Sequence, residues 1–160
     1  MASLSPERSR VACPYFLPEQ ELVQLGFTHP GRLPLGAAWR GSCNAPGHAG
    51  TVPSEDELRN GCNLGYARGC SRLPSERAAD SVRFAIVRER SGEIEVCYAY
   101  ERNYEPGDHG SLQFKLADGA WSASSAETQL ARMAQCFLQS FLRRREGRLK
   151  EDDDGRPGNP

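Results

Sequence analysis

The sequence predicts an α+β fold: an irregular cysteine-bearing N-terminal region joined to a three-stranded antiparallel meander that a C-terminal helix packs against. Three observations lead there. Composition changes near Pro74, since residues 1–75 hold 17 of the 27 glycines and prolines and four of the six cysteines. Residues 81–117 alternate as half-buried strands do. Residues 130–142 carry an apolar stripe at helical spacing.

The first 75 residues scatter their apolar side chains: Leu22, Leu25, Phe27, Leu33, Leu35, Trp39, Leu58 and Leu64 follow no sustained period. Two short helices are expected. One starts at Pro18 and runs through Glu19–Leu25 to Gly26, with proline at the first turn, acids behind it and glycine as the stop. The other spans Ser54–Gly61. There Ser54 and Glu57 form a capping box, the serine oxygen accepting from the third helical amide while the glutamate reaches back. Cys62 would follow where the chain leaves that helix.

The meander comes next. Ser81–Arg88 is rich in β-branched and aromatic residues, and Ser91-Gly92 marks a tight turn. Ile94, Val96, Tyr98 and Tyr100 alternate with Glu93, Glu95, Cys97, Ala99 and Glu101. Residues 105–110 read as turn chemistry, and Ser111–Leu116 as the third strand. Ser124 or Ser125 can cap a helix to about Glu146. Its stripe is Leu130, Met133, Ala134, Phe137, Leu138, Phe141 and Leu142, and Arg143–Arg145 complement the dipole at its end. Residues 147–160, with Asp152–Asp154 and a Gly/Pro ending, read as a disordered tail. The expected division is thus 1–75, 76–146 and 147–160.

Charge and hydropathy narrow the partners. The net charge of −1 gives no global attraction to nucleic acid or anionic lipid. No window is long and apolar enough to span a bilayer, and the N-terminus has no basic region followed by an apolar run. The expectation is a cytoplasmic chain with no membrane or nucleic-acid partner, working with a redox or enzyme partner protein. Cytosolic thiols stay reduced, so the cysteines are read as metal ligands before disulfides.

Cys13, Cys43, Cys62 and Cys70 are the candidate ligands. Ordering about 60 residues of loop costs on the order of 1 kcal/mol or more per residue. Metal binding can offset such a cost, because binding free energy becomes folding free energy. The intervals are 29, 18 and 7 residues, without the closely spaced Cys pair common in structural zinc sites. Four isolated cysteines suit a body that touches four backbone stretches, and a [4Fe-4S] cluster takes four thiolates. Zinc is the alternative. It allows a Cys3His set in which His48, five positions after Cys43, replaces Cys13. Glycines around Cys43, Cys62 and Cys70 leave amides free to approach sulfur.

Arg40 and Arg68, with Arg59, Arg72 and Arg77, fall near the cysteines and could offset thiolate charge. Tyr66 and Trp39 could shield a centre from solvent. Cys97 and Cys136 read as small buried hydrophobes. His29 and His109 lie in turn-like segments without identifiable partners. A third reading makes one N-terminal cysteine a nucleophile, but no base and orienter are assignable from sequence. No phosphate-binding glycine motif and no nucleophile elbow occurs.

Overall fold

The computed structural model describes residues 12–22, 33–65, 70–122 and 128–154, and the side chains of all these except 128 and 148–154. The chain is α+β. Two antiparallel sheets form: β1 (Phe16–Leu22) with β2 (Ala38–Cys43), and a meander of β3 (Ser81–Arg90), β4 (Glu93–Arg102), β5 (Glu105–Lys115) and β6 (Ala120–Trp121). Between the sheets lies α1 (Glu55–Glu57), which runs into one π-helical turn (Leu58–Cys62). The long helix α2 spans Thr128–Asp154.

The first expected helix is a strand instead. Phe16–Leu22 pairs with Ala38–Cys43, and the register slips between Pro18 and Gln20. Proline has no amide to give a ladder, and such a slip is where a strand tolerates it. Arg132 of α2 donates to the carbonyls of Pro18 and Glu19, both at 2.9 Å, satisfying acceptors at this irregularity. Tertiary pairing thus overrides the helical signal of Glu19-Gln20-Glu21. Residues 23–26 of that expectation lie outside the described residues.

The expected capping box forms with both bonds: the Glu57 amide donates to Ser54 Oγ at 3.2 Å, and the Ser54 amide to Glu57 Oε1 at 3.0 Å. The helix it starts does not stop at Gly61. The π turn carries the coil through Cys62, so that cysteine closes the turn instead of following it.

The meander has four strands where three were expected, because Ala120–Trp121 turns back onto the end of β5 and Trp121 meets the Phe114 ring edge-on at 5.1 Å. Ser91-Gly92 forms the β3–β4 turn, with φ of 49° and 79°. Two consecutive positive φ values match the twist of a hairpin. The β4–β5 turn is Asn103-Tyr104, with φ of 53° and 64°, so the turn placed at 105–110 belongs to β5. Pro106 fits there because β6 covers only Phe114 and Lys115, leaving the start of β5 an edge.

α2 continues through Gly147 to Asp154, residues assigned from sequence to a disordered tail. Its proposed caps, Ser124 and Ser125, and residues 155–160 lie outside the described residues. Leu130, Met133, Ala134, Cys136 and Leu138 are buried, and Phe137 stacks on Phe84 of β3 at 5.8 Å. On its other side α2 passes so close to Gly36 that an added Cβ would stand 2.6 Å from Ser140 Cβ.

The apolar residues of the first half are not left dispersed. Ala12, Phe16, Leu35, Trp39 and Leu58 join Val82, Ile94, Val96, Met133 and Leu138 in one buried cluster. Ala12 also bridges Val82, with amides donating to carbonyls both ways at 2.7 and 2.8 Å. The first half therefore draws cohesion from the helix and the sheet. This shared core adds to whatever a metal contributes toward the cost of ordering that half.

Candidate metal centre

Each of the four candidate cysteines is held by a different local device. Cys13 follows the bridge to β3, and its amide donates to the Cys62 carbonyl at 3.2 Å. Cys43 ends β2; its amide donates to Thr51 O and its carbonyl accepts from Gly50, at 2.7 and 2.9 Å. Cys62 closes the π turn. Cys70 begins a turn whose carbonyl accepts from the Leu73 amide at 3.3 Å.

All four line one cavity of about 600 Å³, together with Tyr15, Glu57 and Arg72. Cys13 is buried, and Cys43, Cys62 and Cys70 are half-buried and unbonded to one another. The Ala45 amide points at Cys43 Sγ from 3.4 Å, the kind of N–H to sulfur contact that stabilises a thiolate. Among the described residues, no group of three or more His, Cys, Asp and Glu side chains could hold a metal ion.

The electrostatics follow from this gathering. Burial pushes the Cys13 thiol up to about 11, against a backbone hydrogen bond from Tyr15, with Cys43 and Cys70 adding to the rise. Burial pushes Cys62 up to about 12, reinforced by Cys13, Cys43, Cys70 and Glu57. These thiols resist ionising because their anions would be desolvated and would repel each other. Protons keep such a group together, or a cationic centre that displaces the protons does.

Two carboxamides brace the cavity, and neither was singled out from the sequence. Asn63 is buried beside Cys62. Its Oδ1 accepts from the Trp39 amide at 3.0 Å, and its Nδ2 donates to Trp39 O at 3.0 Å and Leu58 O at 2.9 Å. One side chain thus pairs with β2 as a neighbouring strand would, tying the Cys62 turn to the strand that ends in Cys43. Gln129 of α2 donates from Nε2 to Pro14 O and accepts at Oε1 from Asn44 Nδ2, both at 2.8 Å. Pro14 and Asn44 each follow a cysteine, so one amide spans the Cys13 and Cys43 loops. The Asn44 amide adds a direct bond to Tyr15 O at 2.8 Å. No local pattern marks Asn63 or Gln129: Trp39 is 24 residues from Asn63, and the partners of Gln129 are 85 and 115 residues away.

Of the arginines noted near cysteines, Arg72 lines the cavity. Arg40 and Arg59 are exposed. Arg77 turns to Asp80 and the Pro74 carbonyl. Arg68 and Tyr66 lie outside the described residues, as does His29. His48 is exposed beyond Cys43, and His109 is exposed on β5. Trp39 is buried in the shared core. Cys136 is buried in α2 and Cys97 half-buried in β4.

No protein-family model, no curated protein and no solved structure matches this chain. Among the described residues no helix is long and apolar enough to cross a membrane.

Proposed function

We propose that this chain is a small iron–sulfur protein in which Cys13, Cys43, Cys62 and Cys70 hold a [4Fe-4S] cluster, serving electron transfer or redox sensing with a partner protein. One observation carries the reading: four cysteines separated by intervals of 29, 18 and 7 residues line a single cavity. Burial and neighbouring cysteines raise the Cys13 and Cys62 thiols, so a metal held there would displace their protons as it binds. A cluster takes four thiolates from four separate stretches of wall, whereas a lone zinc draws its sulfurs to about 2.3 Å from one point. The Ala45 amide at Cys43 fits such a ligand. With every iron capped by protein sulfur, no open position remains for substrate, which favours moving an electron over chemistry at the metal.

Zinc in the same cavity is the second reading and would make the chain an interaction module; it requires the thiols to draw in toward one point, since as placed no three of them are grouped to hold an ion. A nucleophilic cysteine finds less support, since burial moves Cys13 and Cys62 away from the thiolate.

Anaerobic purification followed by iron, acid-labile sulfide and zinc analysis tests the proposal. Brown protein with about four irons and four sulfides per chain is expected. Cys62→Ser and Cys70→Ser should lose the iron, and Cys97→Ser should keep it. Iron-free wild type, or full iron in both of the first two variants, would overturn the assignment.

A further inference from the structure

The cavity wall holds one charged pair. Arg72 and Glu57 both line the cavity. They are joined by two bonds, Nη1 to Oε2 and Nη2 to Oε1, the second at 3.2 Å. The pair is partly shielded, with the Arg72 side chain 17% exposed and that of Glu57 34%. Glu57 is fixed by the capping box, since its Oε1 also accepts from the Ser54 amide. A charge anchored in this way points in one direction. Arg72 lies within electrostatic reach of Cys70 and Cys43, and Glu57 within reach of Cys62.

We infer that the Arg72–Glu57 pair tunes the four-thiolate centre electrostatically, Arg72 favouring its more negative state and Glu57 opposing it. The inference rests on the metal reading given above. Four thiolates leave a [4Fe-4S] cluster or a zinc ion with net negative charge, so a neighbouring cation stabilises the site and a neighbouring anion destabilises it. A cluster held by these thiolates would accept one electron from an external donor with no iron–thiolate bond broken, and the pair would act on the added charge. Both residues act through the ligands and are positioning residues.

The two charges make a sharp test possible. Arg72→Gln removes the cation and Glu57→Gln the anion, while glutamine can still serve the capping box. Each variant breaks the same ion pair, so a purely structural role moves both in the same direction. An electrostatic role moves them oppositely. With dithionite as the reductant in a potentiometric titration of the purified chain, Arg72→Gln should lower the reduced-to-oxidised ratio at fixed poise about tenfold, about 59 mV for one electron. Glu57→Gln should raise it. Metal loss to a chelator gives a second readout that does not require iron: faster than wild type for Arg72→Gln and slower for Glu57→Gln. Wild-type metal analysis keeps the two ideas apart. Zinc without iron defeats the iron–sulfur reading and leaves the chelator rates to decide the role of the pair. Shifts of the same sign, no shift in either variant, or a metal-free wild type would overturn the inference.

Discussion

At the scale of single residues, this fold depends on side chains that replace missing backbone partners. Asn63 is the main case. Its amide occupies the place of a strand beside Trp39, so its loss leaves the Trp39 amide and carbonyl and the Leu58 carbonyl without that partner in a buried setting. Each buried group stripped of its bond costs about 1–3 kcal/mol. Asn63→Ala should therefore destabilise the chain by about 3 kcal/mol, read as a lower urea midpoint with an unchanged slope. A loss below about 0.5 kcal/mol would show that the cavity repacks around the gap. Gly41 works in the opposite sense, by what it lacks. A Cβ there would lie 1.9 Å from the Leu17 carbonyl oxygen, so only glycine lets β1 and β2 close at this point, two residues before Cys43. The Asn63 signal was invisible in sequence, where it is one polar residue beside a cysteine.

At the scale of elements, α2 acts as a clamp between the halves. One side carries the buried stripe against the sheet. The other sends Gln129, Arg132 and Arg143 to Pro14, to Pro18 and Glu19, and to the carboxylate of Glu21. Those partners all lie on or just before β1, the strand that follows Cys13. Gln129→Ala removes the amide spanning the Cys13 and Cys43 loops. It should cost about 1–2 kcal/mol, the net worth of two partly exposed hydrogen bonds, and, if the proposed centre is loaded, should hasten metal release to a chelator. Unchanged release kinetics would mean that the Asn44–Tyr15 backbone bond alone fixes the spacing of the loops. Element type was readable where the signal was local. The capping box at Ser54 and Glu57, the alternation of β4 and the α2 stripe each depend on neighbours within a few positions. β1 was misread because its pairing with β2 arises across a gap that no periodicity reports. The end of α2 was misread because polar composition describes exposure better than conformation.

At the scale of the whole molecule, one apolar cluster crosses the boundary drawn at residue 75. The chain has two tryptophans, Trp39 on β2 and Trp121 on β6, one in each half. Variants keeping one tryptophan, Trp39→Phe and Trp121→Phe, can then report the halves separately by fluorescence. A shared core predicts coincident urea transitions for the two. Two separated transitions, with the Trp39 signal lost first, would indicate a first half that folds apart from the shared core.

The sequence by itself determined the α+β class, the meander, the long helix and the choice of four cysteines to watch. Hydrophobic period, turn chemistry and residue chemistry are properties of neighbours along the chain, so they are readable there. Only the tertiary structure decided that those four cysteines share one cavity, that Arg72 among the described arginines lines it, and that amides from Asn63 and Gln129 brace it. Each of these is a contact between distant segments, and its geometry exists only once burial of the common core has brought the segments together.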